Sequence, residues 1–468
     1  MDEAVADVPS IFRDWLRYYD SVRNDDSNST PNYFVSHPTS LQTSAIQHGI
    51  QVGIAENIFS TISPQLALAE SEILLVTCFL GPSSSTTILA DALQELSQKR
   101  VSRNLQPIRA HICFSVFSIW QQVFQPKTTC VYPPAIWTKF GLPSADKIPG
   151  LDLTVKSIFI RPLSLIHSKY VVIDRRVVFI PSANISPDKW LELCISLTGP
   201  VVQQFILFWE TFWAASEDKT ATDTFNGSSQ HQVLSYSDAK VLKEAKPHEQ
   251  PLSDGTFVDQ GQIPTVFLPQ SHHRNPRFMI LPWKKFSPPP QTPLNTFLLH
   301  AFRTATTSIS LFTPDFACMP IIHALTEASQ RGVDIHITTN ENVMILEQLC
   351  TAGTTTKRCI KLLIKRYQAL RSKGTLSGTQ PMGKLLMEYF HPKEGTEEPR
   401  HLHLKMVVID NHCLVLGSGN IDRASWYTSQ ELNIGLYSSE LAKDCMTLVE
   451  SQLMNRKRTR FDSGQEKL

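Results

Sequence analysis

One stretch of this chain is written twice. His167-Ser-Lys169-Tyr-Val-Val-Ile-Asp174, followed by Val-Val-Phe-Ile-Pro-Ser182-Ala-Asn184, returns as His403-Leu-Lys405-Met-Val-Val-Ile-Asp410, followed by Leu-Val-Leu-Gly417-Ser418-Gly-Asn420. Each copy is His-x-Lys-x4-Asp, then a second apolar run ending in Ser-x-Asn. The two histidines stand 236 residues apart, and so do the two asparagines. A lone His-x-Lys carries no information. Two complete copies in one register mean a duplicated domain that must fold the same way twice. The repeat begins before the motif: Glu72-Ile-Leu-Leu-Val-Thr77 and Ser308-Ile-Ser-Leu-Phe-Thr313 keep the same interval, and both read as buried strands. In each half a helical stretch follows, then a further apolar strand beginning at Ile108 or Val333. Strand, helix, strand with a right-handed crossover is the βαβ unit, so the expected fold class is α/β.

The motif spacing has a chemical reading. Tyr170-Val-Val-Ile and Met406-Val-Val-Ile are apolar and β-branched, hence strands. Residues two apart share a strand face, so His167 and Lys169 point one way, as do His403 and Lys405. Asp174 and Asp410, seven residues after each histidine, point the other way and serve as scaffold. Ser182, Asn184, Ser418 and Asn420 follow the next strand, where a turn presents hydroxyl and amide groups. Two imidazoles and two ammonium groups suit a phosphodiester: a neutral imidazole attacks phosphorus, a protonated one supplies the leaving oxygen, and cations and amides hold the non-bridging oxygens. The serine hydroxyls either add donors to that phosphate or shape the turn.

These paired motifs resemble those of the phospholipase D superfamily, the two-repeat phosphodiesterases. The resemblance covers most of the chain. It implies two repeats, each a β-sheet flanked by helices, packed about a pseudo-twofold axis with one active site at their seam. It implies catalysis through a phosphohistidine with no metal or other cofactor, His167 as nucleophile and His403 as general acid. Lys169, Lys405, Asn184 and Asn420, with Ser182 and Ser418, would hold the phosphate. It also implies a carboxylate that orients each histidine, found some way after it in sequence. Glu192 and Glu431 stand 25 and 28 residues after His167 and His403. Gly199-Pro200 and the aromatic helix after it resemble the close of the first repeat in cardiolipin-synthase-type members. Two features depart from the family: Pro181 precedes Ser182 where a small residue is usual, and the linker is long. Asp174 and Asp410 distinguish the chain from tyrosyl-DNA phosphodiesterases.

The expected organisation is an N-terminal arm (1–40) packed on the first repeat, a first repeat (41–214), a polar, partly disordered linker (215–293) with ten prolines from Pro247 to Pro293, a second repeat (294–450) and a basic tail (451–468). With 468 residues, 42% of them hydrophobic, and a net charge of +1, the chain has no global bias toward nucleic acid or membrane. It has no apolar run long enough for a transmembrane helix, and no signal-like start. Nine scattered cysteines fit a reducing, cytoplasmic compartment, with peripheral contact to membranes. His401, His403, His412 and Cys413 do not match zinc spacing, so no metal is expected.

Two stretches bear on substrate. Phe114 to Phe124, with Tyr132, Trp137 and Phe140, reads as core, with lipid tails or stacked bases as the other uses. Lys357, Arg358, Lys361, Lys365, Arg366, Arg371 and Lys373 form a basic amphipathic segment without an acid, suited to a membrane surface or a nucleic-acid backbone. The leading expectation is hydrolysis of glycerophospholipids or phosphatidyl transfer to an alcohol. The alternatives are a nuclease of the same superfamily and a non-catalytic phosphate-binding relic.

Overall fold

The computed structural model describes residues 8–23, 37–116, 129–160, 165–214, 261–271, 288–377, 381–393, 395 and 398–465. In chain order its strands are β1 (Gln42–Gly53), β2 (Glu72–Phe79), β3 (Ile108–Val116), β4 (Thr129–Val131), β5 (Leu151–Ile158), β6 (Tyr170–Ile173), β7 (Val177–Pro181), β8 (Glu192–Thr198), β9 (Ile263–Gln270), β10 (Ser308–Phe312), β11 (Asp334–Thr339), β12 (Leu385–Phe390), β13 (Met406–Ile409), β14 (Cys413–Gly417), β15 (Glu431–Tyr437) and β16 (Lys457–Asp462). They form one sheet in the order β16-β12-β11-β10-β13-β14-β15-β9-β1-β8-β7-β6-β2-β3-β5-β4. From the central β9–β1 pair outward, the two halves mirror one another: β15, β14, β13, β10, β11, β12 on one side and β8, β7, β6, β2, β3, β5 on the other. The duplication is thus a structural one, with the pseudo-twofold between β1 and β9.

Within each half the strand pairs β2–β3 and β10–β11 are parallel, joined by the helices Ser84–Ser102 and Met319–Gln330. The motif strands form antiparallel hairpins, β6–β7 and β13–β14. Their turns place Asp174 and Arg175 at φ 53° and 57°, and Asp410 and Asn411 at 52° and 60°. Two successive left-handed residues are the twist-matched hairpin solution, and Asp and Asn tolerate it best.

Each turn aspartate then ties its hairpin to the neighbouring strand. Asp174 accepts the N–H groups of Glu70, Ser71 and Glu72 at 2.9, 2.7 and 3.0 Å, and Asp410 accepts those of Thr306, Thr307 and Ser308 at 2.9, 2.7 and 3.0 Å. These contacts anchor each hairpin turn to the chain that leads into the strand beside it. They sit at the far end of the hairpin from the histidine.

Three segments differ from expectation. Part of the stretch read as linker is β9, at the middle of the sheet. Pro264 and Pro269 disguise it, because proline is foreign to a central strand. Each proline falls where β9 has a neighbour on one side only: Pro264 faces Ser44 of β1, and Pro269 faces Leu432 of β15. The remaining linker, 215–260 and 272–287, lies outside the described residues. The basic tail holds a strand: Lys457–Asp462 is edge strand β16, paired to β12. The N-terminal helix Ser10–Val22 packs on the second repeat instead of the first. Trp15 is fully buried, its indole N–H donates to Thr296 Oγ1 at 3.1 Å, and its ring meets Phe297 edge-on at 5.1 Å.

Of the aromatic stretch, Phe114 stacks on Tyr132 at 5.6 Å and meets Phe140 edge-on, and with buried Trp137 it belongs to the core. Phe117, Trp120 and Phe124 lie outside the described residues.

Candidate active site

The motif histidines do not lie on strands. They precede β6 and β13, in segments that leave their own sheet half and run beside the other repeat. The His167 N–H donates to Gln430 O at 2.9 Å, and the Gln430 N–H to Leu165 O at 3.0 Å. On the other side the N–H groups of His403 and Leu404 donate to Leu191 O at 2.8 and 2.9 Å, and the Leu191 N–H to His401 O at 2.7 Å. Gln430 immediately precedes Glu431, and Leu191 immediately precedes Glu192. Each histidine is therefore delivered to the glutamate that heads a strand of the other repeat.

The pairing follows. His167 Nδ1 lies 3.0 and 2.9 Å from the two Glu431 oxygens, and His403 Nδ1 lies 2.6 Å from Glu192 Oε1. Sequence spacing had matched each glutamate to the histidine of its own repeat; the contacts cross the seam. Proximity along the chain misleads here because the segment before each motif strand belongs, by its hydrogen bonds, to the opposite half.

The serines are committed as well. Ser182 Oγ donates to Glu192 Oε2 at 2.5 Å and accepts the Leu193 N–H at 2.9 Å. Ser418 Oγ donates to Glu431 Oε2 at 2.6 Å and accepts the Leu432 N–H at 2.9 Å. A hydroxyl has one proton to give. Neither use expected of these serines, donation to phosphate or shaping the turn, included the one seen: each hydroxyl proton goes to a carboxylate. Ser425, at 2.6 Å from Glu431 Oε1, adds a second donor on one side only.

Lys169 Nζ donates to His167 O at 2.9 Å and Lys405 Nζ to His403 O at 2.5 Å, which folds each side chain back beside its own motif histidine. Lys405 Nζ is also 3.0 Å from both ring nitrogens of His403, so its cation rests against the ring. Both lysines are buried, at 2% and 3% exposure. Asn184 and Asn420 end the turns after β7 and β14. Each has a buried Oδ1 without a hydrogen-bond partner among the described residues. Such an orphaned acceptor costs about 1–3 kcal/mol, which only a hydrogen-bond donor would relieve.

Burial dominates the electrostatics. It lowers both imidazoles below their ordinary value; the partner glutamates oppose it and the lysines reinforce it, and His403 is pushed down to about 3. Burial also lowers Lys169 and pushes Lys405 down to about 7, with the carboxylates opposing. For Glu192 and Glu431 burial acts upward, but the imidazoles, lysines and serines outweigh it and both stay below the usual carboxylate range. Each lysine acts on both histidines. The His–Lys pairs of the two repeats thus share one electrostatic site. A neutral imidazole that gives its Nδ1–H to a carboxylate presents an Nε2 lone pair, the form a nucleophile needs.

The halves are not equivalent. Trp190 lies 4.6 Å, ring to ring, from His403, and the His403 side chain is 5% exposed against 12% for His167. Asn340 holds the backbone of Leu402 from both sides, at 2.8 and 2.9 Å. Sequence reading assigned no role to Asn340, Ser425, Gln430 or Trp190. Trp190 and Trp426 stand at the 236-residue interval of the motifs, a signal that could have found Trp190, whereas Ser425 and Gln430 have no like residue at that interval. Among the described residues no group of three or more His, Cys, Asp or Glu side chains is arranged to hold a metal ion.

Residues 298–453 match a family model described as cardiolipin synthase, PLD-like domain. No curated protein gives a significant match. Among solved structures, the chain is similar to phosphatidylserine synthase from Haemophilus influenzae Rd KW20, over 89% of either chain, at 12% identity and a TM-score of 0.51. It is also similar to Nuc, a phospholipase D family member from Salmonella typhimurium, over 36% of this chain and 90% of that one, at 20% identity and a TM-score of 0.26. The family match thus covers most of the second repeat, and the fold of the whole chain is the one it shares with the phosphatidylserine synthase.

Proposed function

We propose that this chain is a phospholipase D-type phosphodiesterase that hydrolyses glycerophospholipids or transfers their phosphatidyl group to an alcohol. The observation that carries the reading is the crossed pair of His–Glu contacts, which builds one reactive centre from both repeats. A lipid substrate draws support from the cardiolipin synthase description of the matched family and from the fold shared with a phosphatidylserine synthase.

His167 is the nucleophile in this reading. Its ring is the more accessible one, and Glu431, held by two serines, orients its Nδ1–H. Nε2 attacks phosphorus, and the bond to the leaving oxygen breaks as that oxygen takes a proton from His403. His403 must first gain that proton. The incoming phosphodiester supplies the means: its anionic oxygens draw Lys405 off the His403 ring, and its charge offsets the burial that keeps the ring neutral. Lys169, Lys405, Asn184 and Asn420 hold the non-bridging oxygens as charge builds. Neutral His403 then takes a proton from water or an alcohol, which opens the phosphohistidine.

Incubation of the purified chain with phosphatidylcholine, cardiolipin and single-stranded DNA tests the substrate class. Headgroup or phosphatidyl-transfer product is the expected result. Nicked DNA with intact lipid would assign the chain to the nucleases, and silence on all three would mark it as a phosphate-binding relic.

A further inference from the structure

The short helix Ile345–Ala352 shows water an apolar face. Leu346 is 80% exposed, Ile345 42% and Leu349 40%. Isolated exposed aliphatic side chains are ordinary; three on one short helix are a patch. The next element is the helix Thr356–Ser377, which contains no acidic residue. Its inner face, with Cys359, Ile360, Leu363, Ile364 and Tyr367, is buried. Arg358, Lys361 and Lys365 on its outer face are exposed.

The patch is built in, and it stands beside the site. Gln348 Oε1 accepts the Thr356 N–H at 2.6 Å and Gln348 Nε2 donates to Val343 O at 2.8 Å, so the two helices are clamped together. Thr356 Oγ1 accepts the N–H of Phe316, which bridges to Ile421, the residue after Asn420. The apolar helix packs on Arg423–Tyr427, the helix whose Ser425 holds Glu431.

We propose that Ile345, Leu346 and Leu349 insert into the surface of an anionic bilayer, with Arg358, Lys361 and Lys365 at the headgroups, so that the mouth of the site meets lipid. The inference rests on the lipid reading above and names the surface that would deliver the substrate. Aliphatic side chains gain nothing from a solvated polyanion such as nucleic acid; they gain from an apolar phase, while the cations gain from anionic headgroups. The contact is a peripheral one, since no helix among the described residues is long and apolar enough to cross a membrane.

The test uses the full chain, the double variant Leu346→Asp/Leu349→Asp and a second, Arg358→Ala/Lys361→Ala. All four substituted side chains are exposed, and thermal melts check that both variants stay folded. Co-sedimentation with phosphatidylcholine vesicles containing phosphatidylserine should show binding that weakens with salt. The aspartate variant should bind ~10-fold or more weakly, and the alanine variant should lose most of the salt dependence. Cleavage of a short-chain phosphatidylcholine, kept monomeric, should be unchanged in both. No vesicle binding by the parent chain, or equal binding by the aspartate variant, overturns the proposal even if lipid is cleaved. Binding of single-stranded DNA in place of vesicles overturns it too. Vesicle binding that needs the leucines, with no lipid cleaved in any form, leaves the surface standing and removes the enzymatic reading instead.

Discussion

Glu192 and Glu431 do the same work for histidines that are not their sequence neighbours, and exchanging them one at a time separates the two chemical steps. Glu431→Gln removes the charge that orients His167, so attack itself suffers, whatever the leaving group. Glu192→Gln weakens His403 as the acid, which slows the first step only when the leaving oxygen needs a proton. Each variant should lose ~10²–10⁴-fold in kcat on a natural phospholipid. On a nitrophenyl ester the burst, which reports the first step alone, should keep that deficit in Glu431→Gln and lose most of it in Glu192→Gln. Pre-steady-state kinetics on the nitrophenyl ester checks this; the reverse pattern would contradict the roles given to the two glutamates. The motif residues were legible because the duplication prints them twice. The partner of each glutamate was not, because it depends on Leu191 and Gln430, whose backbone bonds bring the opposite repeat's histidine alongside. Ser425 was illegible for a related reason: it acts on one half of the site and has no like residue at the motif interval in the other.

At the scale of elements, the two motif hairpins are positioned from their far ends by Asp174 and Asp410. Asp410 also accepts the Thr306 and Thr307 hydroxyls, at 3.0 and 2.9 Å. Burial acts to raise its pKa, but the N–H groups of Thr306, Thr307 and Ser308 outweigh it and the carboxyl stays below its ordinary value. A depressed carboxyl contributes stability above its unfolded pKa and loses it as pH falls through the folded one. Asp410→Ala should cost about 2–4 kcal/mol at pH 7 and flatten the loss of stability below pH 4 relative to the parent. Urea unfolding at pH 7 and at pH 3 measures both. An equal penalty at the two pH values would mean that the charge plays no part. The strands of the βαβ units were readable from apolar runs. β9 was not, because its two prolines carry the signature of a linker. β16 was not either, because an edge strand rich in Lys and Arg reads as a solvated tail.

At the scale of the whole molecule, neither repeat is self-sufficient. The sheet runs unbroken through β9 and β1, the N-terminal helix clamps onto Phe297 of the second repeat, and each histidine takes its carboxylate from the other half. A single centre with unequal histidines is the central claim, and trapping the covalent intermediate tests it most directly. Rapid-quench reaction with a nitrophenyl phosphodiester, followed by mapping of the phosphorylated residue, should place the adduct on His167. His403→Ala should still release a burst of nitrophenol and then turn over slowly, because the second step lacks its base; His167→Ala should give no burst. A burst from His167→Ala with the adduct on His403 would reverse the two roles, and turnover with no adduct on either histidine would contradict the account.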